Sequence, residues 1–248
     1  MNMLFRSLIF YAALLPATII FCLISFLILP LNGRVRYRIV TQWSAFALWL
    51  LRVTCGLTAR IRGAEHIPSE PCVIFCKHQS AWETLALQFI FPAHVQVVKR
   101  ELLFVPFFGW GLASLNPIAI DRSGGAKALR QVLRIGKERI DDGWSVLLFP
   151  EGTRTAPGEE REFSPSAAAL AIRSQCALVP VAHNAGVFWS RNALEKHHGE
   201  IQLIIGPALS TAGKSASELT AQAQTWIETE CRKMPLHPAP SSPGSVQS

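Results

Sequence analysis

The chain has 248 residues, of which 50% are hydrophobic, and carries 24 Lys plus Arg against 17 Asp plus Glu, a formal net charge of +7. This length can bury one sizeable core, and a mean hydropathy of +0.26 is high for a fully soluble enzyme, so contact with lipid is expected. No module interleaving basic and aromatic side chains is present, which argues against nucleic acid as the partner of the positive charge and in favour of anionic lipid or acidic and phosphate-bearing substrates. The six cysteines form neither a paired Cys-x-x-Cys set nor a zinc pattern; they read as small buried hydrophobes in a reduced compartment, and no metal site is expected.

Taken in chain order, Leu8 to Leu31 is an apolar run long enough to span a bilayer. Arg6 is its one early cation and no small-x-small cleavage site precedes Arg34, so the run is expected as a retained anchor and not a removed signal peptide. After the basic cluster Arg34-Val35-Arg36-Tyr37-Arg38, residues Ile39 to Leu57 are again mostly apolar, with Trp43 and Trp49. Tryptophans and arginines at headgroup depth favour a helix lying in the interface over a second span or a plain core helix, and Pro16 and Pro30 permit a bent hairpin. The arginines place the intervening turn on the cytoplasmic side. Residues 1–58 are therefore expected as a two-helix membrane-seated hairpin, 59–234 as the main domain and the Pro- and Ser-rich stretch 235–248 as a disordered tail.

The main domain reads as α/β. Strand-like runs at 71–76, 95–98, 118–120, 146–149, 177–182 and 201–205 alternate with helical periodicity such as Ala126, Leu129, Val132, Leu133, Gly136 and Ile140. A largely parallel sheet flanked by helices follows, and ligands of such sheets gather where strands end. Gly109-x-Gly111 begins like a dinucleotide fingerprint, but Ser114 stands where the third glycine belongs and the strand-helix context is missing.

Two motifs fall at strand ends. In Lys77-His78-Gln79-Ser80-Ala81-Trp82-Glu83 the histidine precedes a helical pattern that begins near Ala81. On one straight helix the two side chains would diverge by about 140 degrees; with His78 ahead of the helix and Glu83 in its first turn, the carboxylate can fold back onto the imidazole. Glu83 would then accept from one ring nitrogen and leave the other free to take a proton from a hydroxyl, the base-plus-orienter half of a triad with no protein nucleophile. A histidine beside a carboxylate is by itself more often a satisfied polar pair. The second motif, Phe149-Pro150-Glu151-Gly152-Thr153-Arg154, shifts the balance: Pro150 ends a strand, Gly152 lets the backbone turn closely around a ligand, and Arg154 offers a planar fork for phosphate or carboxylate.

With these residues in view, the chain resembles the glycerolipid acyltransferase family, most closely its bacterial 1-acyl-sn-glycerol-3-phosphate acyltransferases. Four blocks match in order over about residues 60–185: the His78–Glu83 motif; Lys99 to Gly109 followed by Asn116 to Arg122; Phe149 to Arg154; and Leu178-Val179-Pro180-Val181. Two departures stand out. Glu83 replaces the usual aspartate, and the segment Glu162 to Ser166 lacks the family's Phe-Lys pair and glycine. The resemblance implies that His78 acts as general base, that Glu83 orients it, and that Lys99, Arg122, Glu151, Gly152, Thr153 and Arg154 contact substrate, with the cations around a phosphate. It further implies direct attack of the sn-2 hydroxyl of lysophosphatidic acid on a thioester, from acyl-carrier protein or acyl-coenzyme A, forming phosphatidic acid with no further cofactor, at the cytoplasmic face of the inner membrane. Another glycerol-phosphate or lysophospholipid acceptor, or a non-catalytic lipid-phosphate binder, is the alternative. Backbone N–H groups near the helix after His78 are expected as oxyanion donors.

Overall fold

The N-terminal apolar run forms helix α1 (Met3–Leu27), capped by Asn2, whose side chain accepts from the Leu4 amide. It is long and apolar enough to cross a membrane by length and composition. One face packs inward through Ser7, Phe10 and Cys22, while Leu15 (64%) and Leu27 (80%) stand exposed, an exposure that suits lipid and not water. The computed structural model describes residues 2–238; most of the segment expected as a tail, 239–248, lies outside the described residues, as does the side chain of Arg122.

The second arm differs in detail from the expected hairpin. The turn falls at residues 28–32, and the arginine cluster lies inside a helix, α2 (Gly33–Val40), which Asn32 caps by accepting from the Arg34 amide. Helix α3 (Gln42–Leu50) follows and runs into a wide π turn at Leu51–Cys55. Ser44, Ala47, Leu50 and Leu51 are buried against the domain, whereas Trp49 is 55% exposed. The arm is thus half core helix and half exposed apolar surface. Trp43 ties it to α1 through a 3.0 Å hydrogen bond to Thr18, and Ser44 ties it to Gln88 at 2.8 Å.

The remaining elements are β1 (Leu57–Arg62), β2 (Val73–Cys76), α4 (Trp82–Ile90), β3 (His94–Lys99), α5 (Phe108–Ser114), β4 (Ile118–Ile120), α6 (Ala126–Asp141), β5 (Ser145–Leu148), α7 (Ser166–Ser174), β6 (Leu178–His183), the single turn α8 (Ala185–Phe188), β7 (Gly199–Ile205) and α9 (Ala216–Arg232). The strands form one sheet in the order β1-β7-β6-β2-β5-β3-β4. All neighbouring pairs are parallel except β6 and β7. Strand β1 escaped the sequence reading because only Leu57 of its six residues is buried, which leaves no alternation to detect.

Side chains of a strand alternate between faces, and β2 shows the consequence. Ile74 and Cys76 enter the apolar layer that holds Leu50 of α3 and Leu87 of α4, while Val73 and Phe75 enter the layer of Val132, Leu170 and Leu219 from α6, α7 and α9. Burial on both faces explains why β2, β5 and β6 read as continuous apolar runs. The parallel arrangement brings the carboxyl ends of β2, β3, β4 and β5 to one edge, where both motifs begin.

Candidate active site

His78 lies in the loop between β2 and α4, and its backbone is gripped from two directions. Its amide donates to Glu151 Oε1 at 3.3 Å. Its carbonyl accepts from the Thr155 amide at 2.8 Å and from the Thr155 hydroxyl at 3.2 Å. The imidazole stacks on Phe149, with ring centroids 4.1 Å apart and planes 20° from parallel. Residues of the second motif thus clamp the residue at the centre of the first.

The side chain of Glu83, in the first turn of α4, folds back as the spacing allows. Glu83 Oε1 accepts from His78 Nδ1 at 2.8 Å and from the Gln79 amide at 3.0 Å, and both its oxygens accept from the Ser80 amide. Burial alone would raise this carboxyl, but His183, His78 and the Ser80 amide more than offset it, and its pKa lies below the ordinary value. An ionised carboxylate can only accept, so Nδ1 carries the proton and Nε2 presents a lone pair. Nε2 has no hydrogen-bond partner among the described residues, and 11% of the side chain is exposed. The geometry therefore supplies a base held in one tautomer, with part of its ring open to solvent. Three amides of the stretch expected to hold oxyanion donors are already engaged: those of Gln79 and Ser80 serve Glu83, and that of Trp82 donates to Ser80 Oγ.

Three long-range residues that the sequence reading did not single out, His183, Glu228 and Thr155, complete the support. His183, fully buried at the end of β6, donates from Nε2 to the Lys77 carbonyl at 2.7 Å and accepts at Nδ1 from the Ala185 amide. That pair of partners requires the neutral ring, and burial does lower its pKa despite Glu83 Oε2 at 3.9 Å. Lys77 is 1% exposed, and its ammonium reaches Glu228 of α9 at 2.6 Å and Glu151 at 3.5 Å. The third is Thr155. Distance along the chain hid them, for Lys77 and Glu228 are 151 residues apart.

The residues expected around substrate divide into two groups. Glu151 turns inward: its side chain is fully buried between Lys77 and the His78 amide, and burial, opposed by Lys77, raises its carboxyl to about 7. The carboxyl so placed holds the His78 loop from behind. Gly152 turns the chain at a φ of 68°, where an L side chain would be strained. Thr153 and Arg154 are half-buried beyond it, and the Arg154 guanidinium has no hydrogen bond or ion pair among the described residues. Lys99 ends β3 at the same sheet edge, half exposed, with Glu101 at 3.8 Å as its ion-pair partner. Arg122 opens a short turn, Arg122–Gly124, directly after β4. The structure thus brings His78, Glu83, Glu151 and the backbone of Thr155 together, and leaves Lys99 half exposed at the end of β3.

Comparison with known proteins agrees with this arrangement. The profile described as Acyltransferase matches residues 58–184, a stretch that contains both motifs. The chain is 45% identical over 95% of its length to a 1-acyl-sn-glycerol-3-phosphate acyltransferase of Pseudomonas aeruginosa, covering 96% of that protein. It is 29% identical to 1-acyl-sn-glycerol-3-phosphate acyltransferase alpha of Homo sapiens, over 76% of this chain and 69% of that one. In fold it is similar to the crystal structure of the 1-acyl-sn-glycerophosphate (LPA) acyltransferase PlsC from Thermotoga maritima, with a TM-score of 0.78 at 19% identity over 93% of this chain and 95% of that one. On the profile match and the near full-length identity, the chain belongs to the acyltransferase family.

Proposed function

We propose that this protein transfers a fatty acyl group from a thioester donor to the sn-2 hydroxyl of 1-acylglycerol 3-phosphate, forming phosphatidic acid for phospholipid synthesis. The observation that carries this reading is the 2.8 Å contact from His78 Nδ1 to Glu83 with Nε2 left free, set in a chain 45% identical to a 1-acyl-sn-glycerol-3-phosphate acyltransferase. His78 Nε2 removes the hydroxyl proton as the oxygen attacks the thioester carbon, and Glu83 stabilises the imidazolium that forms. The tetrahedral oxyanion then collapses, the carbon–sulfur bond breaks, and the imidazolium returns its proton to the leaving thiolate. No acyl-enzyme is needed, because the acceptor itself is the nucleophile.

Arg154, with Lys99 and Arg122 at the same sheet edge, receives the acceptor's phosphate, for which a guanidinium fork suits two oxygens at once. Gly152 and Thr153 shape the approach. The donor is an acyl thioester of acyl-carrier protein or coenzyme A. Residues 1–58 seat the enzyme in the membrane, supported by the span-length α1 and the exposed apolar surface beside it. Arg34, Arg36 and Arg38 favour the cytoplasmic face of the inner membrane for the catalytic domain, residues 59–234.

Purified full-length protein in mixed micelles, offered both donors and a panel of acceptors, tests the reading. Release of free thiol that depends on lysophosphatidate, with phosphatidic acid as product, is the expected result. Thioester consumption indifferent to lysophosphatidate, or specific to a different acceptor, would replace it.

A further inference from the structure

Lys196 belongs to no part of the scheme above, yet it is 1% exposed. Its ammonium donates to Tyr11 Oη at 2.6 Å and to the Leu194 carbonyl at 2.8 Å, and stands 5.2, 3.8 and 4.7 Å from the ring centroids of Phe10, Tyr11 and Trp189. The Lys196 amide donates to Ser7 Oγ at 2.9 Å. Ser7, Phe10 and Tyr11 share one face of α1 at helical spacing, so the loop before β7 is bolted to the helix of membrane-spanning length.

A structural tie accounts for the aromatic cage through cation–π attraction. It does not account for the position of the Tyr11 hydroxyl. Tyr11 Oη accepts from Lys196, which leaves its own hydrogen to be donated elsewhere. Tyr11 lines a cavity of about 250 Å³ together with Ala81, Arg154, Trp189, Asn192 and Ala193. Arg154 lines that cavity, and its guanidinium has no hydrogen bond or ion pair among the described residues; Ala81 belongs to the loop that carries His78. At about 250 Å³ the space is on the scale of a small polar head group.

We infer that this cavity receives the glycerol phosphate head group of the acceptor, with the Tyr11 hydroxyl and the Arg154 guanidinium as paired donors to its phosphate and Lys196 as the buried charge behind Tyr11. The inference rests on the acyl-transfer reading and deepens it: α1 is both anchor and wall of the acceptor site, so a lysophosphatidate molecule keeps its chain in the bilayer while its head group swings in beside Tyr11. Burial brings the Lys196 ammonium down to about 8, so it still carries its charge near neutral pH and strengthens Tyr11 as a donor to an anion.

The test uses the full chain in mixed micelles, with each substrate varied in turn and sn-glycerol 3-phosphate as a soluble head-group competitor. Tyr11→Phe keeps the ring of the cage and removes only the hydroxyl. The expected result is an acceptor KM raised about tenfold, inhibition by sn-glycerol 3-phosphate weakened by a similar factor, and a donor KM within about twofold of the parent, as for loss of a hydrogen bond to a charged group. Ala193→Leu fills the cavity without touching the Tyr11–Lys196 bond and should act the same way, so the outcome does not hang on one variant. Unchanged acceptor kinetics in both variants, or an effect confined to the donor, would overturn the assignment. Should the parent make no phosphatidic acid, the acyl-transfer reading fails on its own; calorimetric binding of sn-glycerol 3-phosphate to parent and Tyr11→Phe proteins then decides the cavity separately, equal affinities counting against it.

Discussion

On the His78 side of the cleft the loop is tied at the His78 amide, the His78 carbonyl, the imidazole Nδ1 and the Lys77 carbonyl. Among the cations expected to meet substrate, Lys99 has an exposed neighbour at 3.8 Å. The Arg154 guanidinium has no hydrogen bond or ion pair among the described residues. The contrast follows from what each side is asked to do. Proton transfer needs heavy atoms within hydrogen-bond reach in a fixed direction, so the base is fully placed before substrate arrives. Anion-binding groups need only be available, and a half-solvated cation costs little to hold without a partner because the ligand brings the counter-charge. The tied side is therefore expected to govern turnover, and the open side to govern affinity for the acceptor.

The sharpest way to break that division is His78→Ala. Turnover should fall at least about 100-fold, the lower end for general base catalysis, while circular dichroism and membrane association stay as in the parent. Near-parental turnover in a folded variant would end the mechanism.

Glu83 refines the picture on the same side. Glu83→Asp should remain active, because charge and acceptor capacity are kept. Glu83→Gln should lose roughly 10- to 100-fold in turnover, because an amide NH2 would have to face the Ser80 or Gln79 amide, or His78 Nδ1, donor against donor. Equal turnover of the Gln variant and the parent would make this carboxylate a packing element only.

Arg154→Lys probes the open side. Charge is preserved and the two-pronged contact is lost, so the acceptor KM should rise several-fold to about tenfold with little change in donor KM. A change confined to the donor would move Arg154 to the carrier's docking surface and leave the acceptor phosphate to other cations.

Glu151 should have the smallest effect on chemistry and the clearest one on stability. Its carboxyl rises from the ordinary 4.5 to about 7 through burial, against the pull of Lys77. The folded state thus keeps a proton that the unfolded chain gives up. The stabilising contribution is complete below the unfolded value and is lost as pH rises through about 7, a loss of about 3 kcal/mol at most. Thermal melts between about pH 4 and 8 should show the parent losing stability relative to Glu151→Gln across that window. Parallel curves would mean that Lys77 keeps Glu151 ionised throughout.

Much of this molecule could be read from local pattern. Apart from β1, the strands of the domain and the long helix α6 announce themselves through runs and periods a few residues long, as do the apolar N-terminal helix and the two motifs. His78 and Glu83 could be paired on paper because five residues and one helix start determine whether they meet. Local spacing could not place Thr155, His183 or Glu228 behind the catalytic loop, since their contacts cross 77, 106 and 151 residues of chain. Nor could it turn Glu151 inward: an acid in a glycine turn looks solvent-facing until the sheet puts Lys77 beside it. The antiparallel insertion of β7, the arginine cluster inside α2 and the meeting of Tyr11 with Lys196 across 185 residues were likewise decided only by packing. Burial and hydrogen-bond satisfaction are properties of the assembled layers. Segment by segment, the chain specifies what each element is; which buried donor finds which acceptor is settled when the sheet closes over its helices.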